Sequence, residues 1–247
     1  MKAFDKVPHK RLLHIINKYG IKGNILGWIE SFLSNRTQMV GSAESSKSPV
    51  TSGIPQGSVL GPMLFVIYIN DLPEVVDKNS YVYLFADDTK VFRQIKSHED
   101  RDLLQKDIDN LKIWSDIWLL IFHPDKCVSM TVQTTDVTNQ YDYHMGDQIL
   151  SNSACDQDIG VFLDKKLKFD KHFNHVVNQA NKILAVARRT FECMDEEIFC
   201  LILKGLVHPH IEYAAPVWSP HHDKYINLIE TCKDGRQKWS RDSCKEL

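Results

Sequence analysis

Two β-prone runs, residues 81–85 and 91–95, flank the five residues Ala86, Asp87, Asp88, Thr89 and Lys90. Aromatic and β-branched residues on either side of a short polar stretch spell an antiparallel hairpin with acids in its turn. Runs this apolar need cover, so the hairpin is expected to emerge from a buried sheet and to hold its carboxylates at a fixed point. The acids alone admit two readings. Aspartate is a common turn residue for local reasons. Paired carboxylates also suit hard Mg²⁺ ions, which can activate an attacking hydroxyl and stabilise a leaving pyrophosphate.

Around this hairpin the pattern alternates between helix and strand. Leu12, Leu13, Ile15, Ile16 and Tyr19 recur at helical spacing between Pro8 and Gly20. A second helix carries Ile25, Leu26, Trp28, Ile29, Phe32 and Leu33 and closes at Asn35, before a stretch over 36–49 that can hold a short hairpin. Ser97 with Asp100 is a capping box for a helix to about Leu119, with Leu104, Ile108, Leu111, Trp114 or Ser115, and Trp118 facing inward. Residues 127–134 alternate Val128, Met130 and Val132 inward as a strand, and another short strand is expected over 159–162. Beyond Asp170, read as an N-cap, Phe173, Val176, Val177, Ala180, Ile183, Leu184 and Ala187 make one apolar stripe. Asp195, Glu196 and Glu197 open a further helix through Val207, and residues 231–247 read as a frayed tail. Helices mixed with hairpins point to an α+β fold rather than alternating βαβ units.

With 30 basic and 32 acidic residues the net charge is -2, which argues against holding nucleic acid by bulk electrostatics. Locally the balance differs. Lys165, Lys166, Lys168, Lys171, Lys182, Arg188 and Arg189 face a single acid, Asp170, either as a solvated helix face or as a stripe that follows a phosphate backbone. The N-terminal residues show no apolar run followed by small residues, so a reducing, intracellular setting, nucleus or cytoplasm, with six free thiols is expected. The cysteines form no CxxC pair and His208, His210, His221 and His222 lack matching ligand pairs, which argues against a structural zinc site. The longest apolar runs, 64–69 and 118–122, fall far short of the roughly 20 residues a membrane helix needs.

A second constellation, Ser-Gly-Ile-Pro-Gln-Gly-Ser-Val-Leu-Gly-Pro-Met-Leu-Phe over 52–65, combines glycines that let backbone approach a ligand (Gly53, Gly57) with Ser58, which can begin a phosphate-attracting helix. No GK[ST] follows, so it is not a Walker loop. Gly-Ile-Pro-Gln-Gly-Ser-Val-Leu-Gly-Pro, then Tyr-Ile-Asn-Asp-Leu over 68–72, then Phe-Ala-Asp-Asp-Thr over 85–89 resembles, in order and spacing, the palm of jockey-like reverse transcriptases from non-long-terminal-repeat (LINE-type) retrotransposons. The likeness continues through Trp-Ser (114–115), His-Pro-Asp-Lys-Cys (123–127), Ile-Gly-Val (159–161) and Tyr-Ala-Ala-Pro-Val-Trp-Ser-Pro (213–220). It covers most of residues 3–230.

The resemblance implies a right-hand polymerase palm, an antiparallel sheet with helices over 1–168 that is incomplete at its N-terminus. An α-helical thumb over 169–230 and a divergent tail over 231–247 would follow, with the fingers missing. It implies RNA-directed DNA polymerase activity on an RNA template and DNA primer, transferring a nucleotide from a dNTP to a primer 3′-hydroxyl with two Mg²⁺ ions or Mn²⁺ in their place. Asp87 would be the principal metal ligand and Asp88 its neighbour. Gln56 and Gly57 would lie against the incoming nucleotide, Lys126 near its triphosphate, and Phe4 would be the aromatic that excludes a ribose 2′-hydroxyl. Lys182, Arg188 and Arg189 would follow the duplex backbone.

Departures from the pattern qualify the expectation. The family's first metal aspartate falls ahead of Met1, Ile117 and Ile121 stand where polar residues are usual, and the tail after Glu230 leaves the family sequence. A chain lacking one metal ligand is expected to have little or no activity by itself. The alternative is a catalytically dead nucleic-acid-binding remnant or domesticated module.

Overall fold

The periodic runs near the N-terminus form the two expected helices, α1 (His9–Lys18) and α2 (Gly23–Leu33). The computed structural model describes residues 3–39, 46–133, 141–191 and 195–233. Its chain divides into two units, Met1–Ser129 with Asn139–Ser151, and Met130–Thr138 with Asn152–Leu247. This division does not fall at the expected 168/169 boundary. Val161 shares a core with Phe173 and Val176, so the hairpin preceding the long helix belongs with that helix.

In the first unit α1 buries Leu12, Ile15 and Ile16 against Ile29 and Leu33 of α2. The expected short hairpin is a two-residue ladder, β1 (Thr37–Gln38) with β2 (Ser48–Pro49). The glycine-rich loop then feeds α3 (Leu60–Ile69), whose cap position is Val59 rather than the expected Ser58; the Ser58 hydroxyl, one residue ahead, accepts the Gly61 N–H at 3.0 Å. Only one side of α3 is buried: Leu64, Phe65, Tyr68 and Ile69 enter the core while Met63 and Val66 stay exposed. Its uniformly apolar sequence concealed that asymmetry.

The hairpin pairs β3 (Ser80–Phe85) with β4 (Asp88–Arg93), from Ser80↔Arg93 to Phe85↔Asp88. Its turn is tighter than expected. Ala86 and Asp87 alone lie between the strands, and Asp88, Thr89 and Lys90 belong to β4. Nor is the hairpin buried on both faces. Val82, Leu84 and Val91 pack on the core, whereas Tyr81, Tyr83 and Phe85 are 57%, 60% and 60% exposed, with Tyr81 and Tyr83 stacked on Phe92. The run is an amphipathic ribbon whose outer face is aromatic.

The helix α4 (His98–Trp118) begins with the predicted capping box, Ser97 with Asp100. Its inner face serves two clusters. Leu111 and Trp114 join the main core, while Leu104 and Ile108 pack against Tyr143, Met145 and Leu150 beside the small hairpin β5 (His144–Met145) and β6 (Gln148–Ile149). The Tyr-Ile-Asn-Asp-Leu motif turns out to hold these pieces together. Asp71 accepts the Trp114 indole N–H at 3.0 Å, Asn70 donates to the Tyr19 hydroxyl at 3.0 Å, and the Tyr68 hydroxyl donates to the Trp118 carbonyl. Burial pushes the Tyr68 hydroxyl up to about 12, so it keeps the proton that this bond needs.

The strand expected over 127–134 is reduced to Val128–Ser129, with Val128 and Val132 exposed rather than inward; Thr134 lies outside the described residues. The strand expected over 159–162 is also corrected. Ile159 and Gly160, at φ 40 and 81, are the turn joining β7 (Cys155–Asp158) to β8 (Val161–Asp164). In this second unit α5 (Asp170–Thr190) buries the predicted stripe. Phe169, not Asp170, is its cap, and the Asp170 carboxylate accepts the Tyr225 hydroxyl at 2.5 Å. The next helix, α6 (Glu196–Ile202), starts at Asp195 as predicted and runs on as a π-turn, Leu203–Val207. Then come α7 (His208–Glu212), α8 (Ala215–Trp218) and α9 (Asp223–Lys233). The backbone over 231–233 is therefore helical, and the rest of the expected tail, 234–247, lies outside the described residues. Two of the motifs interlock here, since the Tyr213 hydroxyl donates to the Ile159 carbonyl at 3.0 Å and the Trp218 indole to the Tyr213 carbonyl at 2.8 Å. No helix among the described residues is long and apolar enough to cross a membrane.

Candidate metal and nucleotide site

A two-residue turn whose first residue alone has positive φ is the type II′ class, where glycine is usual. Here Ala86 takes that position at φ 52, a backbone strain of about 1–2 kcal/mol. The strain projects Asp87 from the tip and sets Asp88 at the head of β4, both exposed. Among the described residues neither carboxylate has a hydrogen-bond or ion-pair partner, and no group of three or more acids, histidines or cysteines converges where it could hold a metal. Asp87 and Asp88 thus stand as a pair with free oxygens, a hard donor set that suits a small divalent cation.

The second constellation is built onto the N-terminal turn, Ala3–Lys6. The Ile54 N–H donates to the Phe4 carbonyl and the Gly53 N–H to the Val7 carbonyl, each at 2.8 Å; the Ser52 hydroxyl donates to the Asp5 carbonyl at 3.1 Å. The backbones pass so closely that a Cβ on Gly53 would lie 2.8 Å from the Asp5 Cα. This pairing brings together two predicted residues. The Gln56 amide reaches the Asp5 carboxylate at 3.5 Å, and Phe4 is stacked on buried Phe65 with centroids 4.2 Å apart. Gly57 follows at φ 81 with open space beside it.

Lys126 lies exposed in a separate turn, Pro124–Lys126. Among the described residues no hydrogen bond or ion pair joins it, or the Phe4–Gln56 cluster, to Asp87 and Asp88. In the second unit Lys182, Arg188 and Arg189 are exposed on α5. Lys171, Lys182 and Arg189 fall on one line of that helix, and Arg188 is about 100° away. Two members of the basic stripe have partners of their own, one ahead of the helix and one in its first turn. Lys165 donates to Asn152 at 3.1 Å, and the Lys171 ammonium sits 4.4 Å over the Phe162 ring.

Three contributors escaped sequence reasoning. His9 Nε2 lies 2.7 Å from the Gly53 carbonyl and clamps the loop to the start of α1. Arg93 and Asp107 tie the root of the hairpin to α4. Asp107 had left a signal, an acid on the inward-facing side between Leu104 and Leu111.

Comparison with known proteins bears on the family of the chain. Residues 1–181 match the family described as reverse transcriptase (RNA-dependent DNA polymerase). The chain is 27% identical over 241 residues to the RNA-directed DNA polymerase from mobile element jockey of Drosophila melanogaster, covering 92% of this chain and 26% of that protein. Its counterpart in Drosophila funebris is 27% identical over 243 residues (92% and 26%), and the probable RNA-directed DNA polymerase from transposon X-element of Drosophila melanogaster is 26% identical over 243 residues (94% and 26%). The chain therefore spans about a quarter of the length of the curated relatives it matches.

Proposed function

Because the chain belongs to the reverse transcriptase (RNA-dependent DNA polymerase) family, we propose that it is a domain of a retrotransposon RNA-directed DNA polymerase. It would act inside the cell, in nucleus or cytoplasm, transferring a nucleotide from a dNTP to a primer 3′-hydroxyl on an RNA template. The observation that carries this reading is the pair of exposed, unpartnered carboxylates at a strained two-residue turn, in a chain whose residues 1–181 match that family. Mg²⁺ is commonly held by one or two carboxylates, with water and substrate phosphates completing its shell, and Mn²⁺ accepts the same donors. When bound, such an ion acidifies the primer hydroxyl and neutralises charge on the leaving pyrophosphate.

In this reading Asp87 is the principal ligand and Asp88 the second. Phe4, held flat on Phe65, borders the sugar; Gln56 and Gly57 border the incoming nucleotide, and Lys126 offsets triphosphate charge. Residues 1–168 act as the palm, and the helices over 169–230 act as a thumb whose α5 follows the duplex through Lys182, Arg188 and Arg189. Two-ion chemistry holds its ions roughly 3.5–4 Å apart with several carboxylates, and no third acid joins this pair among the described residues. The chain alone is therefore expected to bind hybrid and nucleotide but to extend a primer slowly or not at all.

Fluorescence anisotropy with a DNA primer on an RNA template tests this. Mg²⁺ with the next complementary dNTP is expected to tighten the complex, and Asp87→Ala or Asp88→Ala to abolish that tightening without weakening the nucleotide-free complex. Tightening that survives both substitutions overturns the reading. The exposed basic line of α5, with no acid after Asp170 in the helix, supports the second reading of a binding remnant. Its signature is salt-dependent hybrid binding that no dNTP alters even in the wild-type chain.

A further inference from the structure

The hairpin carrying Asp87 and Asp88 is joined to its unit in two ways. Along its length Val82, Leu84 and Val91 rest on the core by one face only. At its root polar side chains from three segments converge. Ser80 and Arg93 form the outermost strand pair, and the Arg93 side chain is 4% exposed. Its Nη1 donates to Asp77 Oδ1 at 2.9 Å and to Ser80 Oγ at 3.0 Å, while Nε reaches Asp100 Oδ1 at 3.4 Å. Ser80 Oγ in turn donates to Asp107 Oδ2 at 2.5 Å, and Asp107 Oδ1 accepts the Asp77 N–H at 2.8 Å. Asp100 also closes the capping box of α4. One guanidinium thus links the loop before β3, both strands and the first turn of α4, and Ser80 extends the link to Asp107 further along that helix.

Two acids on one cation, with a third, Asp107, joined to it through Ser80, is an unusual choice for holding a helix to a hairpin. Asp107 is 1% exposed on the inward-facing side of α4, where Leu104 and Leu111 are its neighbours, and an apolar residue there would avoid burying a carboxyl group. What a network of this kind supplies is a unique arrangement. A ribbon resting on one apolar face can slip, and a one-residue slip exchanges the faces of every side chain. The root network admits one register, because only that register sets Ser80 opposite Arg93.

We propose that Arg93 and Asp107 are positioning residues for the Asp87–Asp88 turn, locking the root of the hairpin to α4 so that the two carboxylates are presented at one place. The proposal rests on the reading that these carboxylates hold a divalent ion.

Hydrogen exchange on the full chain, followed by mass spectrometry, compares the hairpin, residues 80–93, with α1 and α2, residues 9–33. Arg93→Met and Asp107→Ala are expected to speed exchange in the hairpin by about tenfold or more while leaving α1 and α2 near wild-type rates. Asp107→Asn, which keeps an acceptor for the Asp77 N–H, is expected to restore most of the protection. Unchanged hairpin exchange, or equal acceleration in both regions, overturns the proposal. Ser80→Ala, which removes only the hydroxyl, makes the same comparison where the larger changes prevent folding. Mn²⁺ titration by electron paramagnetic resonance separates the lock from the functional reading. In a wild-type chain whose Mn²⁺ binding is lost in Asp87→Ala, Arg93→Met is expected to weaken binding by about tenfold with both carboxylates intact; unchanged affinity overturns the positioning role. A wild-type chain that binds no Mn²⁺ overturns the metal reading, and exchange then decides whether the lock exists.

Discussion

Gly53 and Gly57 look alike in the sequence, both bracketing the Ile-Pro-Gln turn, yet the structure asks different things of them. Gly57 needs only its positive φ, since nothing lies within 4 Å of an added Cβ; Gly53 has positive φ and also meets the Asp5 backbone. Gly57→Ala is therefore expected to cost about 1–2 kcal/mol, the strain of a side chain in the left-handed region. Gly53→Ala should cost ~3 kcal/mol or more, because the obstructing atoms are backbone and cannot rotate away. Urea denaturation of the two variants measures the difference, and equal losses would show that the close approach to Asp5 contributes nothing. The glycines were legible as places where backbone approaches something closely. That the something at Gly53 is the chain's own N-terminal turn was not, because no local pattern records a pairing between residues this far apart in sequence.

Elements whose cause is local were the readable ones. The Ser97–Asp100 capping box and the apolar stripe of α5 each depend on residues a turn or two apart, and both stand where expected. Burial of polar groups depends on distant partners and stayed hidden. His172 shows this on α5. It is 2% exposed, edge-on to Trp218 at 4.9 Å, with the Phe162 N–H directed at Nδ1 from 3.4 Å and no hydrogen-bond partner for Nε2. Burial, and secondarily His175, holds its pKa below the ordinary histidine value. The unfolded chain therefore takes up a proton here at a higher pH than the folded chain does, so stability is full above about pH 6.5 and is lost as pH falls through the folded-state pKa. Melting temperature measured between pH 7.5 and pH 5 is expected to fall in the wild-type chain and to fall less in His172→Phe, which keeps a ring against Trp218. An identical slope in both would assign the acid sensitivity to other groups.

Over the whole molecule, 30 basic and 32 acidic residues leave a net charge of -2, so no general field draws a polyanion to this chain and any grip on a duplex has to be local. Lys171, Lys182 and Arg189 supply such a locality. They are exposed on α5, eleven and then seven residues apart, which keeps them within about 20° of one line over a length of ~27 Å. Three phosphate contacts predict that the logarithm of the binding constant falls with the logarithm of salt concentration at a slope of about −3. Lys182→Ala and Arg189→Ala should each flatten that slope by about one contact and weaken binding equally for any duplex sequence. Asp87→Ala, in a different unit and opposite in charge, should leave the slope of the nucleotide-free complex where it was. A slope that neither α5 variant changes would place the duplex on another surface. A much steeper slope in the wild-type chain would mean that the local line is only part of a larger basic footprint, which the near-neutral charge of the chain argues against.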